Sequence, residues 1–404
     1  MLYNPLLVLI VLLAASATPA ASENPFEGKN FYANSMYASK LEETIKSFCE
    51  EGDLVNAARV ETVQRTGTFG WITSFSGIAN VPVFINEAYE LQESLGKPQI
   101  VELVVYNLPD RDCSAKASSG ELNLAQDGLN KYKQFVDSVA EELCTSKAEE
   151  LSFAIVLEPD SLANLVTNMG VPKCAGAATA YKEGIAYAIS RLQFPNVHLY
   201  IDAGHCGWLG WDDKLLPAAK LFAEVLQLAA GNSTAKPKVR GLATNVSNYN
   251  PYIADPRDNF TQKSKSWDES HYVNNLAPHL ESVGFPAKFI VDQGRSGKSG
   301  IRQEWGQWCN IKNAGFGTRP TTCTGSDLVD AFVWVKPGSS LIIPFAISGE
   351  SDGTSDPKAV RFDKRCAGPT SDTPAPEAGA WFNDYVKRLV LNANPELPIA
   401  LWEG

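Results

Sequence analysis

With 404 residues, 44% of them hydrophobic and 20% charged, the chain can bury a large core and lacks the compositional bias of a disordered segment. A formal net charge of −11 provides no basic stripe to replace phosphate counterions, which argues against nucleic acid or an anionic membrane and favours a neutral or cationic ligand. Eight cysteines with no CxxC spacing and only four histidines argue against a structural zinc site, so no metal or cofactor is expected.

In chain order, residues 1–21 combine an apolar stretch, Leu6 to Ala15, with small residues after it, the pattern of a secretory signal peptide. About ten apolar residues are too few to span a bilayer, which needs roughly 20. Residues 22–404 carry no Pro/Ser/Thr-rich divider and are expected to form a single domain, a monomer without a separate carbohydrate-binding module. Asn232, Asn245 and Asn259 are N-x-Ser/Thr acceptors, although Asn245 ends an expected strand and should be buried.

Apolar, β-branched-rich runs at 69–73, 101–106, 153–157, 197–201, 239–243, 289–291 and 332–335 predict strands. Segments of helical period lie between or beside them, at 38–51, 83–94, 127–144, 175–192, 217–229 and 272–283. Strands alternating with helices of this length predict an α/β fold with a parallel sheet. No Gly-x-Gly-x-x-Gly follows the first strand and no Walker loop is present, so a closed, TIM-like (β/α) barrel is preferred to a nucleotide-binding open sheet. Seven runs instead of eight predict a distorted or partly open barrel.

From the second run onward, each leads into a polar cluster: Asn107 to Asp112, Glu158-Pro-Asp160, Asp202-Ala-Gly-His205, Thr244-Asn245, Asp292 to Arg295 and Lys336-Pro-Gly338. In a parallel barrel these loops share the face where catalysis takes place. Asp112 and Asp160 follow consecutive strands and should be neighbours there. Two carboxylates invite the chemistry of glycoside hydrolysis, in which one protonates the leaving oxygen and the other favours positive charge on the sugar. Each Asp could equally cap a helix, as Asp160-Ser-Leu-Ala163 suggests. Trp71, Trp208, Trp211, Trp305 and Trp308 stand near these loops, where indoles can serve either as sugar platforms or as core.

Six motifs are specific: Tyr106 to Cys113, Leu157 to Asn164, Asp202 to Trp211, Asp292 to Gly297, Trp334 to Gly338 and Glu350 to Asp356. In this order, from about Asn24 to the C-terminus, they resemble the successive signatures of glycoside hydrolase family 6, and most closely its fungal cellobiohydrolase branch. The resemblance implies inverting hydrolysis of β-1,4-glucan on a distorted barrel, with cellulose and cello-oligosaccharides as the partners. It implies Asp160 as general acid, Asp112 as the carboxylate that raises its pKa and influences the water, and Asp352 as the base. Inverting carboxylates stand roughly 6.5 to 9.5 Å apart to admit that water. Tyr106 and Ser118 match residues that shape the distorted sugar and guide the water. Trp71, Trp208, Trp211 and Trp308 match sugar platforms, and Asp202, His205, Asn245, Lys336 and Glu350 match polar sugar contacts. Arg111 and Arg295 are expected to hold carboxylates or to form structural ion pairs. Disulfides Cys113 with Cys174 and Cys309 with Cys366 are implied, each fastening a long loop (110–128 and 336–366) over the barrel mouth. Two retained covers imply a tunnel and release of cellobiose from non-reducing ends. An endo-β-1,4-glucanase with an opened cleft and a non-catalytic glucan-binding relative are the alternatives.

The chain departs from the family pattern at Ser339 to Ser348, ten residues where the pattern runs from one glycine directly to the next. This apolar stretch is either a lid on the product side or a retained non-coding segment, and it bears directly on where Asp352 falls. Cys49, Cys144, Cys206 and Cys323 have no implied partner, and Cys206 is expected as a buried thiol.

Overall fold

The structure, a computed structural model, describes residues 24–231, 236–336 and 351–400. The signal-peptide segment 1–21, Asn232, the 339–348 insert and Glu350 lie outside the described residues. Eight parallel strands make one curled sheet: β1 (Asn30–Phe31), β2 (Gly70–Ile72), β3 (Gln99–Val105), β4 (Ser152–Leu157), β5 (Val197–Asp202), β6 (Gly241–Thr244), β7 (Phe289–Asp292) and β8 (Val329–Val333). The seven expected runs correspond to β2 through β8. The two-residue β1 pairs with the start of β3, and β2 pairs with its end on the same edge. The last strand begins earlier than its apolar run because Asp330 interrupts the pattern. That carboxylate is neutralised by Arg240 and accepts the Tyr200 hydroxyl.

Alternation along the strands sorts side chains between two layers. Ile100, Val104, Ala154, Val156, Ala243, Ile290 and Val333 point inward and fill the barrel, while Leu103, Val105, Ile155, Ile201, Leu242 and Val291 point outward against the helices. Phe26, stacked on Phe31 at 5.3 Å, belongs to the inner layer near the strands' N-terminal ends. Helices Ser35–Glu50, Val81–Leu95, Gly128–Leu143, Pro172–Arg191, Asp212–Ala230 and Glu269–Ser282 match the six expected ones, and Leu54–Gln64 and Asn383–Leu391 are additional.

Among the described residues no ladder joins β2 to β8, so the barrel stays open on that side. The gap is spanned by the Phe69 N–H donating to the Trp334 carbonyl (3.2 Å) and the Trp71 indole N–H donating to the Val335 carbonyl (2.8 Å). A second core covers it, in which Tyr37, Leu41, Val60, Phe316, Trp334 and Leu389 bring the first two helices and the last one together. This open seam puts Trp71 beside the following segment of β8, which carries Lys336.

Candidate active site

Strand ends and their loops surround a cavity of about 400 Å³ at the C-terminal face of the sheet. Of the sequence-predicted residues, Asp112, Asp160, Asp352, Tyr106 and Ser118 line it, as do Trp71, His205, Trp208, Trp308 and Lys336. Both implied disulfides are formed, Cys113–Cys174 and Cys309–Cys366, with sequence separations of 61 and 57. Closing loops of that length removes about 4 kcal/mol of chain entropy from the unfolded state in each case. The first bond fixes the loop that brings Ser114 and Ser118 to the cavity; the second fixes the segment that brings Asp363 and Arg365 to it. Described residues of both expected covers therefore form part of the wall.

Backbone geometry at the strand ends is unusual. Asp112 (φ 55°), Glu158 (φ 49°) and Asp160 (φ 66°) all lie in the left-handed region, which is costly for residues with a side chain and is tolerated best by Asp and Asn. Specific bonds hold these turns. The Asp160 N–H donates to Asp202 Oδ2 at 2.9 Å, and the Ser118 N–H donates to Asp112 Oδ2 at 2.7 Å. Glu158 accepts the N–H groups of Asn107 (3.0 Å) and Leu108 (3.2 Å), tying the loop that carries Asp112 to the loop that carries Asp160.

Electrostatics divides the carboxylates. Burial first, and then the neighbouring Asp112 charge, push Asp160 up to about 7, with Lys336 acting the other way. Asp112 is also raised by burial, against the Ser118 N–H, Lys173 and Arg111. Asp160 can therefore hold a proton at mildly acid pH beside a carboxylate that favours it. Asp352 is in a different condition. Arg295 Nη1 contacts both its oxygens at 3.0 and 2.8 Å, Lys336 Nζ lies 3.3 Å away, and Oδ2 also accepts the Tyr249 hydroxyl and the Asn310 N–H. Arg295 thus holds a carboxylate as expected. Arg111 does not; it donates to the backbone carbonyls of Tyr106, Thr73 and Ser118.

The aromatic wall is braced from behind. The Trp208 indole donates to Thr167 Oγ1 at 2.7 Å, and Trp71 meets Tyr106 edge-on at 5.8 Å. Gly207 is required because a Cβ there would come within 1.9 Å of the Trp305 ring.

Three expected sugar contacts are not on the cavity wall. The Asp202 side chain is buried and accepts the Asp160 and Gly204 N–H groups, so its oxygens are engaged in holding the Asp160 turn. Asn245 is fully buried and donates to the carbonyls of Asn250 and Asp292; this burial also removes it as a glycosylation acceptor, whereas Asn259 is exposed. Trp211 donates to the Gly207 carbonyl and packs edge-on against Trp305. Glu350 lies outside the described residues. Sequence reasoning missed the supporting residues Glu158, Tyr249, Asn310 and Thr167. Of these only Glu158 carried a signal, a carboxylate two positions before Asp160 at a strand end.

A barrel whose loop face carries a carboxyl with a raised pKa, a second carboxylate beside it and several indoles fits one class, the glycoside hydrolases. Residues 26–393 match the model of glycosyl hydrolases family 6, and the chain belongs to that family. Among its relatives, 1,4-beta-D-glucan cellobiohydrolase CEL6B of Podospora anserina is 49% identical over 381 residues, 94% of this chain and 84% of the relative. Exoglucanase 3 of Agaricus bisporus is 48% identical over 93% of this chain and 80% of its own length. The crystal structure of CcCel6C from Coprinopsis cinerea superposes with a TM-score of 0.89 at 57% identity, covering 94% of this chain and 100% of that one. Cellobiohydrolase II of Humicola insolens, in complex with glucose and cellotetraose, superposes with a TM-score of 0.85 at 44% identity over 93% of this chain and 100% of that one.

Proposed function

We propose that the protein is a secreted, monomeric cellobiohydrolase that cleaves β-1,4-glucosidic bonds of cellulose with inversion and releases cellobiose from non-reducing ends. The observation that carries this reading is the pairing of Asp160 with Asp112 in one cavity walled by indoles and two disulfide-held loops. Its support from relatives is their description as cellobiohydrolases and exoglucanases, one of them bound to cellotetraose. Residues 1–21 act as the signal peptide and residues 22–404 as the catalytic domain. Among the described residues no helix is long and apolar enough to cross a membrane.

Asp160 donates its proton to the leaving glycosidic oxygen as positive charge grows on the sugar. Asp112, fixed by the Ser118 N–H, raises the acid's pKa and orients water on the opposite face of the ring. Trp71, Trp208 and Trp308 carry the apolar faces of successive glucose units, and His205 and Lys336 offer polar contacts between them. Asp352 was expected as the base. Its oxygens are already engaged by two cations, a hydroxyl and an N–H, so in this reading it acts as a fixed negative charge that holds Arg295 and Lys336 in place. Asp202 and Asn245 build the turns beneath these groups.

Hydrolysis of phosphoric-acid-swollen cellulose followed by ¹H NMR tests the proposal. The expected first product is α-cellobiose. Initial β-cellobiose would contradict inversion, and loss of carboxymethylcellulose viscosity well ahead of cellobiose release would contradict exo action.

A further inference from the structure

We propose that His205, Cys206 and Glu269 form a binding site for a borderline-soft divalent cation, with Zn²⁺ as the type case, immediately behind one wall of the cavity. Cys206 and Glu269 are fully buried, and a ring nitrogen, the thiol sulfur and a carboxylate oxygen lie within 4.8 Å of one another. The fold creates this cluster: two of the residues follow β5, while the third opens helix Glu269–Ser282. That distant origin is why cysteine and histidine spacing along the chain gave no sign of a metal site.

The donor set selects the ligand. One nitrogen, one sulfur and one oxygen suit Zn²⁺, Co²⁺ or Cd²⁺ and do not suit Mg²⁺ or Ca²⁺, which prefer oxygen alone. In a tetrahedral zinc site the donor atoms stand about 3.5 Å apart, so the three must close by about 1 Å, leaving a fourth position for water. Part of the surrounding support already exists. Glu269 Oε1 accepts the Cys206 N–H at 2.9 Å and the Asn250 side-chain amide at 3.1 Å, which orients the carboxyl. Its other oxygen, Oε2, is buried and meets no donor in good hydrogen-bond geometry, the Thr244 hydroxyl and the Cys206 thiol being the polar side chains beside the carboxyl, so a cation could take up this oxygen without displacing a well-formed bond. His205 spends its one in-plane lone pair on a 3.2 Å contact from the Gly207 N–H, which a metal–nitrogen bond would replace. Arg302, bonded to the side-chain oxygens of Asn248 and Asn250, places one positive charge nearby, against the two negative ligands. On binding, the Cys206 thiol proton and any proton that burial keeps on the Glu269 carboxyl leave to solvent as the metal–sulfur and metal–oxygen bonds form, and nothing is oxidised or reduced.

His205 lines the cavity, so a cation can enter from that side and would draw the imidazole away from a sugar. This consequence, unlike the site itself, rests on the proposed glucan hydrolysis.

The test uses the full protein with exposed Cys49, Cys144 and Cys323 replaced by Ser, compared with the same protein also carrying Cys206→Ala or Glu269→Gln. Equilibrium dialysis against ZnCl₂ should find one ion per chain, and Co²⁺ should give thiolate-to-metal absorption. Either further substitution should weaken Zn²⁺ binding by at least ~10- to 100-fold, and Cys206→Ala should abolish the Co²⁺ band. Cellobiose release by Cys206→Ala without metal checks that it folds, and Glu269→Gln supplies the second variant. ZnCl₂ should slow the parent protein, with EDTA restoring its rate. Absence of bound zinc in the triple-serine protein, or binding unchanged by Cys206→Ala, would overturn the site.

Discussion

The two carboxylate neighbourhoods of the cavity have opposite designs. At the ends of β3 and β4, Asp112 and Asp160 sit in strained left-handed turns, and burial followed by the Asp112 charge favours a proton on Asp160. At the ends of β7 and β8, Asp352 is saturated by Arg295, Lys336, Tyr249 and Asn310. In the proposed mechanism the same residue type on one barrel face thus serves to move a proton in one corner and to hold charge in the other. What surrounds the carboxyl decides its role, and position on the barrel face does not.

Breaking the first corner should have the largest effect. Asp160→Asn is expected to lower cellulose turnover by about 10²- to 10⁴-fold with little change in thermal stability, measured as cellobiose release and melting temperature. Breaking the second should act first on the fold. Asp352→Ala leaves buried Arg295 uncompensated and should cost about 3 to 5 kcal/mol in urea unfolding, and added azide should not restore its turnover. Restoration by azide would make Asp352 a base after all.

Asp112→Asn sharpens the contrast through pH. Its charge is the second cause raising Asp160, after burial, so removing it lowers the Asp160 pKa. The alkaline limb of kcat/KM, expected near pH 7 in the wild type, should move to lower pH. A smaller effect is expected inside the barrel, where Glu102 is buried and both its oxygens lack hydrogen bonds. Burial raises its pKa well above the ordinary value, so folding is favoured while it is protonated. That stability is lost as pH rises above the unfolded value of ~4.3, at about 1.4 kcal/mol per pH unit until the folded value is reached. Glu102→Gln should therefore raise the melting temperature more at pH 7 than at pH 4.

The strand and helix pattern was legible because period-two and period-3.6 burial governs most elements. Helix Leu54–Gln64 escaped because its sides are not divided by polarity: Asn56 and Thr62 are buried while Leu54 and Val55 are exposed. Helix Asn383–Leu391 does carry a readable stripe, Tyr385, Val386, Leu389 and Val390. In the site, motif residues that line the cavity were identifiable one by one. The support roles of Asp202 and Asn245 were not, because sequence order does not show whether a polar side chain points to a cavity or to a neighbouring N–H. The clamp on Asp352 joins residues up to 103 positions apart, Tyr249 among them, and no local spacing encodes it.

Proton donation by Asp160 is tested most directly by the leaving-group dependence of Asp160→Asn. Its rate relative to wild type should be compared on cellotetraose and on 2,4-dinitrophenyl β-cellobioside, whose leaving group needs no proton. The expected result is a severe loss on cellotetraose and a much smaller one on the activated substrate. Equal fractional losses on both would contradict Asp160 as the acid.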